Sequence, residues 1–220
     1  MNKGNCKQCN NPLRSLYETS AHLIDWRRKE EDFVYKEWRK DIEKMILEMN
    51  NEKKFKTERV FFREALGRTT KRLKIKANER EKMKLYGNLC WSHRGIFPET
   101  KKALSSLKKK YKIIIASNSD TKPLLRDFKK HSLKVDKILT SEMLKIYKPH
   151  KKFFAKMLEK IPFAKNEIAY VGDSLKGDVI GAHQIGVKAI WINRKNKRAA
   201  KTKPDFIVKN LFEIHKLKLN

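Results

Sequence analysis

Two aspartates lie five residues apart in the second half of the chain, and their types and spacing suit metal chemistry. Asp173 follows an apolar run at 168–171, and Asp178 follows the segment SLKG. A short apolar run of this kind is typical of a buried parallel strand. Paired carboxylates at its end suit Mg²⁺, which prefers oxygen ligands and keeps several waters. The alternative is that Asp178 caps the next helix and Asp173 only makes the turn. These residues alone leave both interpretations open.

Polar side chains also follow other predicted strands. Ser117 and Asn118 come after the run 112–116, and Lys148 precedes Pro149. A hydroxyl, an ammonium and two carboxylates at one sheet edge suit an enzyme that handles a small anion. The hydroxyl would donate to the anion, the lysine would offset developing charge and the carboxylates would hold a cation. Taken singly, Ser117 is equally well a turn residue and Lys148 a surface charge.

Alternation of strands and helices in the second half of the chain would position these groups. The predicted strands cover 112–116, 135–139, 168–171, 188–193 and 206–208, and the predicted helices cover 99–111, 121–131, 152–160, 179–185 and the C-terminal segment. This alternation predicts an α/β fold, with a mostly parallel sheet and helices on both faces. Ligands of such sheets bind at the carboxyl ends of the strands.

A long charged stretch precedes the alternating half. From residue 26 to about 94, apolar residues recur at three- and four-residue steps, as amphipathic helices require. We therefore predict a helical cap inserted after the first strand. The predicted division is a loose leader at 1–12, a Rossmann-like core at 13–28 and 95–220, and the cap at 29–94.

The charge balance is strongly basic, with 54 Lys and Arg against 25 Asp and Glu, a net charge of +29. It predicts non-specific attraction to nucleic acid that weakens with salt. However, the lysines are spread over the whole chain, and no RNA-binding motif with interleaved aromatics is present. A solvated lysine-rich surface is the alternative. A monomer and a homodimer both remain open.

Cysteine usage and hydropathy bear on the compartment. The three cysteines, Cys6, Cys9 and Cys90, are sparse and odd in number, which favours a reducing cytoplasm over a disulfide framework. Cys6 and Cys9 have zinc-knuckle spacing but lack a second ligand pair. No apolar run is long enough to span a bilayer, and the N-terminal residues lack a signal-peptide segment, so we expect no membrane partner.

Three motifs in order give the sequence a family resemblance. IIIASN, YKPH and VGDSLKGD resemble the second, third and fourth motifs of the haloacid dehalogenase superfamily of hydrolases. Within it, SNSD, IYKPH, GAHQIG and WINR resemble the type II 2-haloacid dehalogenase branch. The resemblance implies a Rossmann-like core with a helical cap. It also implies hydrolysis of a small anionic substrate, either a phosphate ester or a 2-haloacid.

The resemblance also implies roles for individual residues. Ser117, Asn118 and Lys148 would hold the anion, and Asp173 and Asp178 would hold Mg²⁺. The pair Trp38-Arg39 matches a cap pair that supplies an arginine for the substrate carboxylate, which makes Arg39 the candidate. An ordinary helix arginine in a surface salt bridge is the alternative for Arg39.

The first motif departs from the family. The segment 23–26 resembles the end of that motif, which places Glu18 at the nucleophilic aspartate, Ser20 at the phosphatase general acid and His22 at the threonine. Glutamate keeps the carboxylate but adds a methylene, and a displacement of about 1 Å costs on the order of a hundredfold in rate. Glu18 is therefore a slow nucleophile, a metal ligand or a relic, and Asp25 is the other candidate nucleophile.

The motifs thus mix two subfamilies. The Gly-Asp form of the fourth motif is typical of Mg²⁺-dependent phosphatases, so the sequence favours phosphate-ester hydrolysis over dehalogenation. The competing hypothesis is a catalytically inactive member that binds a partner such as nucleic acid through its basic surface.

Overall fold

The computed structural model describes residues 31–52, 54–76, 78–81, 96–199 and 201–218. The chain forms two compact units, Met1–Phe97 and Pro98–Asn220. The boundary lies close to the predicted end of the cap at residue 94. The predicted leader, the core segment 13–28 and the candidate nucleophiles Glu18 and Asp25 lie outside the described residues, so the full domain assignment stays a prediction.

The described part of the first unit contains two long helices, α1 (Glu31–Glu52) and α2 (Glu58–Arg72). Their apolar faces bury Trp38, Met45 and Met49 on α1, and Phe61, Ala65 and Leu66 on α2. The Trp38 indole N–H also donates to the Phe62 carbonyl at 3.3 Å. The predicted helical periodicity is therefore confirmed for Glu31–Glu52 and Glu58–Arg72, and the rest of the predicted cap stays a prediction.

Charged side chains also join the two helices. Arg72 on α2 contacts Glu37 at 2.6 Å and Asp41 at 2.8 Å on α1. The Thr69 hydroxyl donates to Asp41 at 2.6 Å. Burial opposes the charge on Asp41, but the bonds from Thr69 and Arg72 outweigh it and lower the pKa of this carboxyl. The interface between α1 and α2 therefore combines apolar packing with a row of ion pairs and hydrogen bonds.

The described part of the second unit contains five strands: β1 (Ile114–Ser117), β2 (Lys137–Thr140), β3 (Ala169–Gly172), β4 (Lys188–Ile192) and β5 (Phe206–Val208). β1 pairs with β2, and β3, β4 and β5 form a three-stranded sheet in that order. Every pairing is parallel. The predicted α/β fold with parallel sheets is thus confirmed, and all five predicted strands are found with small shifts of their ends.

Helices alternate with the strands. They are α3 (Thr100–Leu107) before β1, α4 (Thr121–Lys130) after β1, α5 (Ser141–Leu144) and α6 (Lys151–Leu158) after β2, and α7 (Ile180–His183) after β3. Three details differ from the prediction, one of them being the short helix α5, where the sequence predicted no helix. The C-terminal helix is a 3₁₀ segment at Leu211–Lys216, and α7 is preceded by a π-helical turn at Leu175–Val179. The turn places Asp178 inside a helical segment, whereas the sequence placed it on a loop. Gly186, the predicted helix stop, has φ +73°, a conformation that suits glycine.

Apolar side chains cover both faces of the three-stranded sheet. Ala189 and Trp191 of β4 pack in one cluster with Phe153 and Phe154 of α6. Ile190, between them in sequence, packs in a second cluster with α3 and β5. Successive residues of a strand point to opposite faces, so the sheet carries a helical layer on each side. No helix in the described ranges is both long and apolar enough to cross a bilayer.

Candidate functional site

Asn118 joins the end of β1 to the loop that carries Lys148. Its Oδ1 accepts from the Lys148 backbone N–H at 2.7 Å, and its Nδ2 donates to the Lys148 carbonyl at 2.9 Å. These two bonds fix the main chain on both sides of the lysine Cα. The predicted convergence of these two segments is therefore present. Direct binding of an anion by Asn118 stays a prediction.

The ammonium of Lys148 links both sheets at their carboxyl ends. Nζ lies 2.7 Å from Asp178 Oδ1, 3.2 Å from the Tyr170 hydroxyl and 3.3 Å from the Ala116 carbonyl. The side chains of Lys148 and Asp178 are 14% and 8% exposed. The buried pair is thus held by contacts that match all three donors of the ammonium.

This environment keeps Lys148 charged. Burial disfavours the ammonium, but the Asp178 carboxylate and the Tyr170 oxygen outweigh that effect and raise the pKa of Lys148 above its ordinary value. Burial raises the pKa of Tyr170, so its phenol stays neutral at physiological pH. The site therefore presents a positive charge between β1 and the segment from β3 to Asp178.

Both carboxylate oxygens of Asp178 have partners. Oδ1 pairs with Lys148, and Oδ2 accepts from the Ser174 backbone N–H at 3.1 Å. Ser174 caps the π-helical turn, because its hydroxyl accepts from the Gly177 N–H at 2.8 Å. A Cβ at Gly172 would overlap the Asp178 side chain, so the glycine allows the close approach. The role of Asp178 as a metal ligand stays a prediction.

Asp173 differs sharply from Asp178. It is exposed, and its main-chain oxygen accepts from the Trp191 indole N–H at 3.0 Å. Its carboxylate makes no hydrogen bond or ion pair with any residue that the structure describes. A free carboxylate of this kind fits Mg²⁺, which proteins bind through one or two carboxylates and several waters. No cluster of three His, Cys, Asp or Glu side chains in the described part could hold a metal. The metal site of Glu18, Asp173 and Asp178 therefore stays a prediction, and Glu18 lies outside the described residues.

Ser117 is the last residue of β1 and is half-buried. Its hydroxyl accepts from Ser119 Oγ at 3.0 Å. Sequence reasoning missed both Ser119 and Tyr170, which was taken only as a strand residue. A tyrosine in an otherwise aliphatic strand was the available signal, because a buried hydroxyl needs a hydrogen-bond partner.

Arg39 lies on α1 in the first unit. Its guanidinium is 47% exposed and pairs with Glu43 one turn along the same helix at 3.3 Å. This is the ordinary helix salt bridge considered as the alternative. A role for Arg39 in binding a substrate carboxylate stays a prediction.

Parallel strands covered by helices, a separate helical unit and a buried lysine–aspartate pair at the strand ends define a Rossmann-like α/β protein. The family model of haloacid dehalogenase-like (HAD) hydrolases matches residues 26–192. The chain belongs to this family, which confirms the resemblance seen in the motifs.

Individual relatives agree with this assignment. The phosphoglycolate phosphatase of Pasteurella multocida is 30% identical over 156 residues, which cover 67% of this chain and 68% of that protein. The L-2-haloacid dehalogenase of Xanthobacter autotrophicus has a TM-score of 0.76 at 17% identity and covers 93% of this chain and 92% of its own. A magnesium-bound HAD hydrolase of Bacillus subtilis has a TM-score of 0.74 at 18% identity, covering 93% and 91%. The two structural matches show a shared fold.

Proposed function

We propose that the protein is a Mg²⁺-dependent hydrolase of a small phosphate ester. The observation that carries this proposal is the buried Lys148–Asp178 pair, in which the ammonium lies within hydrogen-bond range of groups on both sheets. Asp173, five positions before Asp178, is exposed, and its carboxylate has no partner among the described residues. A fixed cation at strand ends stabilises the negative charge of a phosphoryl group in its transition state. The 30% identity to a phosphoglycolate phosphatase over two thirds of both chains supports the phosphoester over the 2-haloacid.

Three residues at the strand ends have different roles in binding the phosphoryl group. The Ser117 hydroxyl donates to a phosphoryl oxygen. Lys148 turns its ammonium toward the anion by exchanging its longest contact, to the Ala116 carbonyl at 3.3 Å. Asn118 holds the Lys148 main chain, so only the lysine side chain has to move when the anion binds.

The metal ligands would be Asp173, Asp178 and Glu18. Mg²⁺ bound there supplies charge neutralisation for the phosphoryl oxygens. Asp173 is the better placed of the two described aspartates, because both oxygens of Asp178 already have partners. Asp178 serves the site chiefly by holding Lys148.

Glu18 is the proposed nucleophile. Its carboxylate oxygen would form a bond to phosphorus while the ester oxygen leaves with a proton from water, and water would then hydrolyse the acyl phosphate. The longer side chain predicts a low turnover number. The basic surface plays no part in this chemistry.

The test is turnover of a panel of small phosphoesters and 2-haloacids, with and without Mg²⁺. We expect Mg²⁺-dependent phosphate release that Lys148→Ala lowers by about a hundredfold or more in kcat/KM. The matched control is Lys109→Ala, which removes an exposed lysine of the same unit and should change kcat/KM by less than about twofold.

Three other outcomes each contradict the proposal. Metal-independent release of halide would assign the protein to dehalogenation instead. Turnover that survives Lys148→Ala would remove the site from the reaction. Absence of turnover on both substrate classes would favour the hypothesis of an inactive binding protein. That hypothesis is supported by the altered first motif and the net charge of +29.

A further inference from the structure

Ser119 lies two residues beyond the end of β1 and is only 2% exposed, although its side chain is polar. Its carbonyl accepts from the Ser141 hydroxyl at 3.1 Å, and Ser141 is fully buried at the start of α5. The loop after β1 is therefore fixed by the segment that follows β2. The bond from Ser141 holds the Ser119 main chain, and burial limits the space around its side chain.

The hydrogen bond between Ser119 and Ser117 has a direction. Ser119 Oγ donates to Ser117 Oγ at 3.0 Å. A serine hydroxyl has one hydrogen to donate and two lone pairs to accept with. Because Ser117 accepts from Ser119, its own hydrogen is directed elsewhere. Within the described ranges, that hydrogen has no protein acceptor.

From this geometry we infer that Ser119 is a positioning residue that sets Ser117 as the hydrogen-bond donor to the substrate phosphoryl group. Ser119 occupies one lone pair of the Ser117 oxygen and restricts the rotation of its hydroxyl. The donor is then aligned before the anion arrives, which avoids reorganisation on binding. Ser119 does not touch the anion. This inference rests on the proposed phosphate-ester function.

The role separates Ser119 from the other hydroxyls of the same region. Thr121 and Thr140 form their own hydroxyl pair at 2.7 Å, and Thr140 also accepts from the Met143 N–H. Neither of these bonds reaches Ser117. Thr121→Val therefore provides a control that removes a comparable, partly buried hydrogen bond without altering the proposed donor.

The experiment measures binding of inorganic phosphate by calorimetry in the presence of Mg²⁺. The proteins are the wild type, Ser119→Ala, Ser117→Ala, the double variant and Thr121→Val. We expect Ser119→Ala to weaken phosphate binding about fivefold, the usual worth of one hydrogen bond. In the Ser117→Ala background, Ser119→Ala should not lower the phosphate affinity any further, because Ser119 acts only through Ser117. Ser119→Cys, a weaker donor of similar size, should fall between serine and alanine.

Melting temperatures of the same proteins check the fold. Two outcomes would show a general structural effect and overturn the inference. In one, Ser119→Ala lowers phosphate affinity equally in the Ser117→Ala background; in the other, Thr121→Val lowers it as much as Ser119→Ala does. Unchanged phosphate affinity in Ser119→Ala would overturn it while the proposed function stands. Failure of the wild type to bind phosphate would overturn both.

Discussion

The Lys148 ammonium and the Asp178 carboxylate lie 2.7 Å apart, and both side chains are largely withdrawn from water. Their segments are separated by 30 positions in the chain. When one member of a buried pair is removed, the other is left as an uncompensated charge, at a cost of about 3–5 kcal/mol. The contact is therefore both part of the proposed site and a constraint on the fold of the second unit.

Asp178→Asn should lower the free energy of unfolding by about 3 kcal/mol, because it leaves the Lys148 ammonium without its carboxylate. Asp173→Asn is the matched control, since its carboxylate has no partner among the described residues, and it should change stability by less than about 0.5 kcal/mol. Urea denaturation at neutral pH measures both. Under the proposed function, Asp173→Asn nevertheless abolishes Mg²⁺-dependent turnover. Equal destabilisation by the two variants would contradict this distinction.

Gly172→Ala should destabilise the protein by about 1–3 kcal/mol, the usual cost of overpacking. The new Cβ would overlap the Asp178 side chain. Gly67→Ala is the control, because a Cβ there meets nothing within 4 Å inside helix α2. That change should stabilise the protein by up to about 1 kcal/mol through helix propensity. The melting temperature should fall for Gly172→Ala and rise for Gly67→Ala. A shift of both in the same direction would contradict overpacking at Gly172.

Asp205 gives a pH prediction. Burial opposes its charge, but the Ala189 N–H at 2.7 Å and the His183 ring at 2.8 Å lower the pKa of this carboxyl. Its contribution to stability is therefore present above the ordinary aspartate pKa of about 3.9 and lost as the pH falls through the lower folded value. Asp205→Asn should be less stable than the wild type near neutral pH.

Denaturation at a series of pH values measures this effect, and the gap between Asp205→Asn and the wild type should close once the pH is below both pKa values. Glu159→Gln removes an exposed carboxylate that makes no hydrogen bond or ion pair within the described ranges. This control measures how much stability the basic chain loses when any one negative charge is removed. A gap that persists in acid, or that Glu159→Gln matches, would show that the hydrogen bonds of Asp205 contribute nothing to stability.

Glu18→Asp should raise kcat by about a hundredfold if Glu18 is the nucleophile, because the shorter side chain places the attacking oxygen where the family has it. Glu18→Gln, which removes the nucleophile at nearly constant volume, should abolish turnover. Single-turnover phosphate release measures both. If the wild type is silent and Glu18→Asp with His22→Thr gains activity, the native protein is the inactive form.

The net charge of +29 predicts weak association with RNA that depends strongly on salt. Binding of a single-stranded RNA should fall by orders of magnitude between about 50 and 200 mM salt and should not depend on its sequence. Fluorescence anisotropy at several salt concentrations measures the slope. Tight binding that persists at high salt would favour the nucleic-acid-binding hypothesis over a solvated surface.

The order of strands and helices could be predicted because it depends on local patterns. Apolar runs flanked by polar residues marked all five strands, and helical periodicity marked α1 and α2 before any contact was known. The ends of elements were less accurate, as at the π-helical turn Leu175–Val179. Packing and capping there override the period of the sequence, since Ser174 and Asp178 bond to the turn itself.

Sequence alone determined which residues could take part in the site, since motif order placed Ser117, Lys148 and Asp173 at strand ends. Only the tertiary structure decided their partners. The two aspartates of the fourth motif looked equivalent, yet Asp178 is buried against Lys148 and Asp173 is exposed. Their difference arises because a helical turn points one carboxylate inward, toward a lysine 30 positions away. Such long-range contacts depend on how the sheets and helices pack, which no local pattern in the chain encodes.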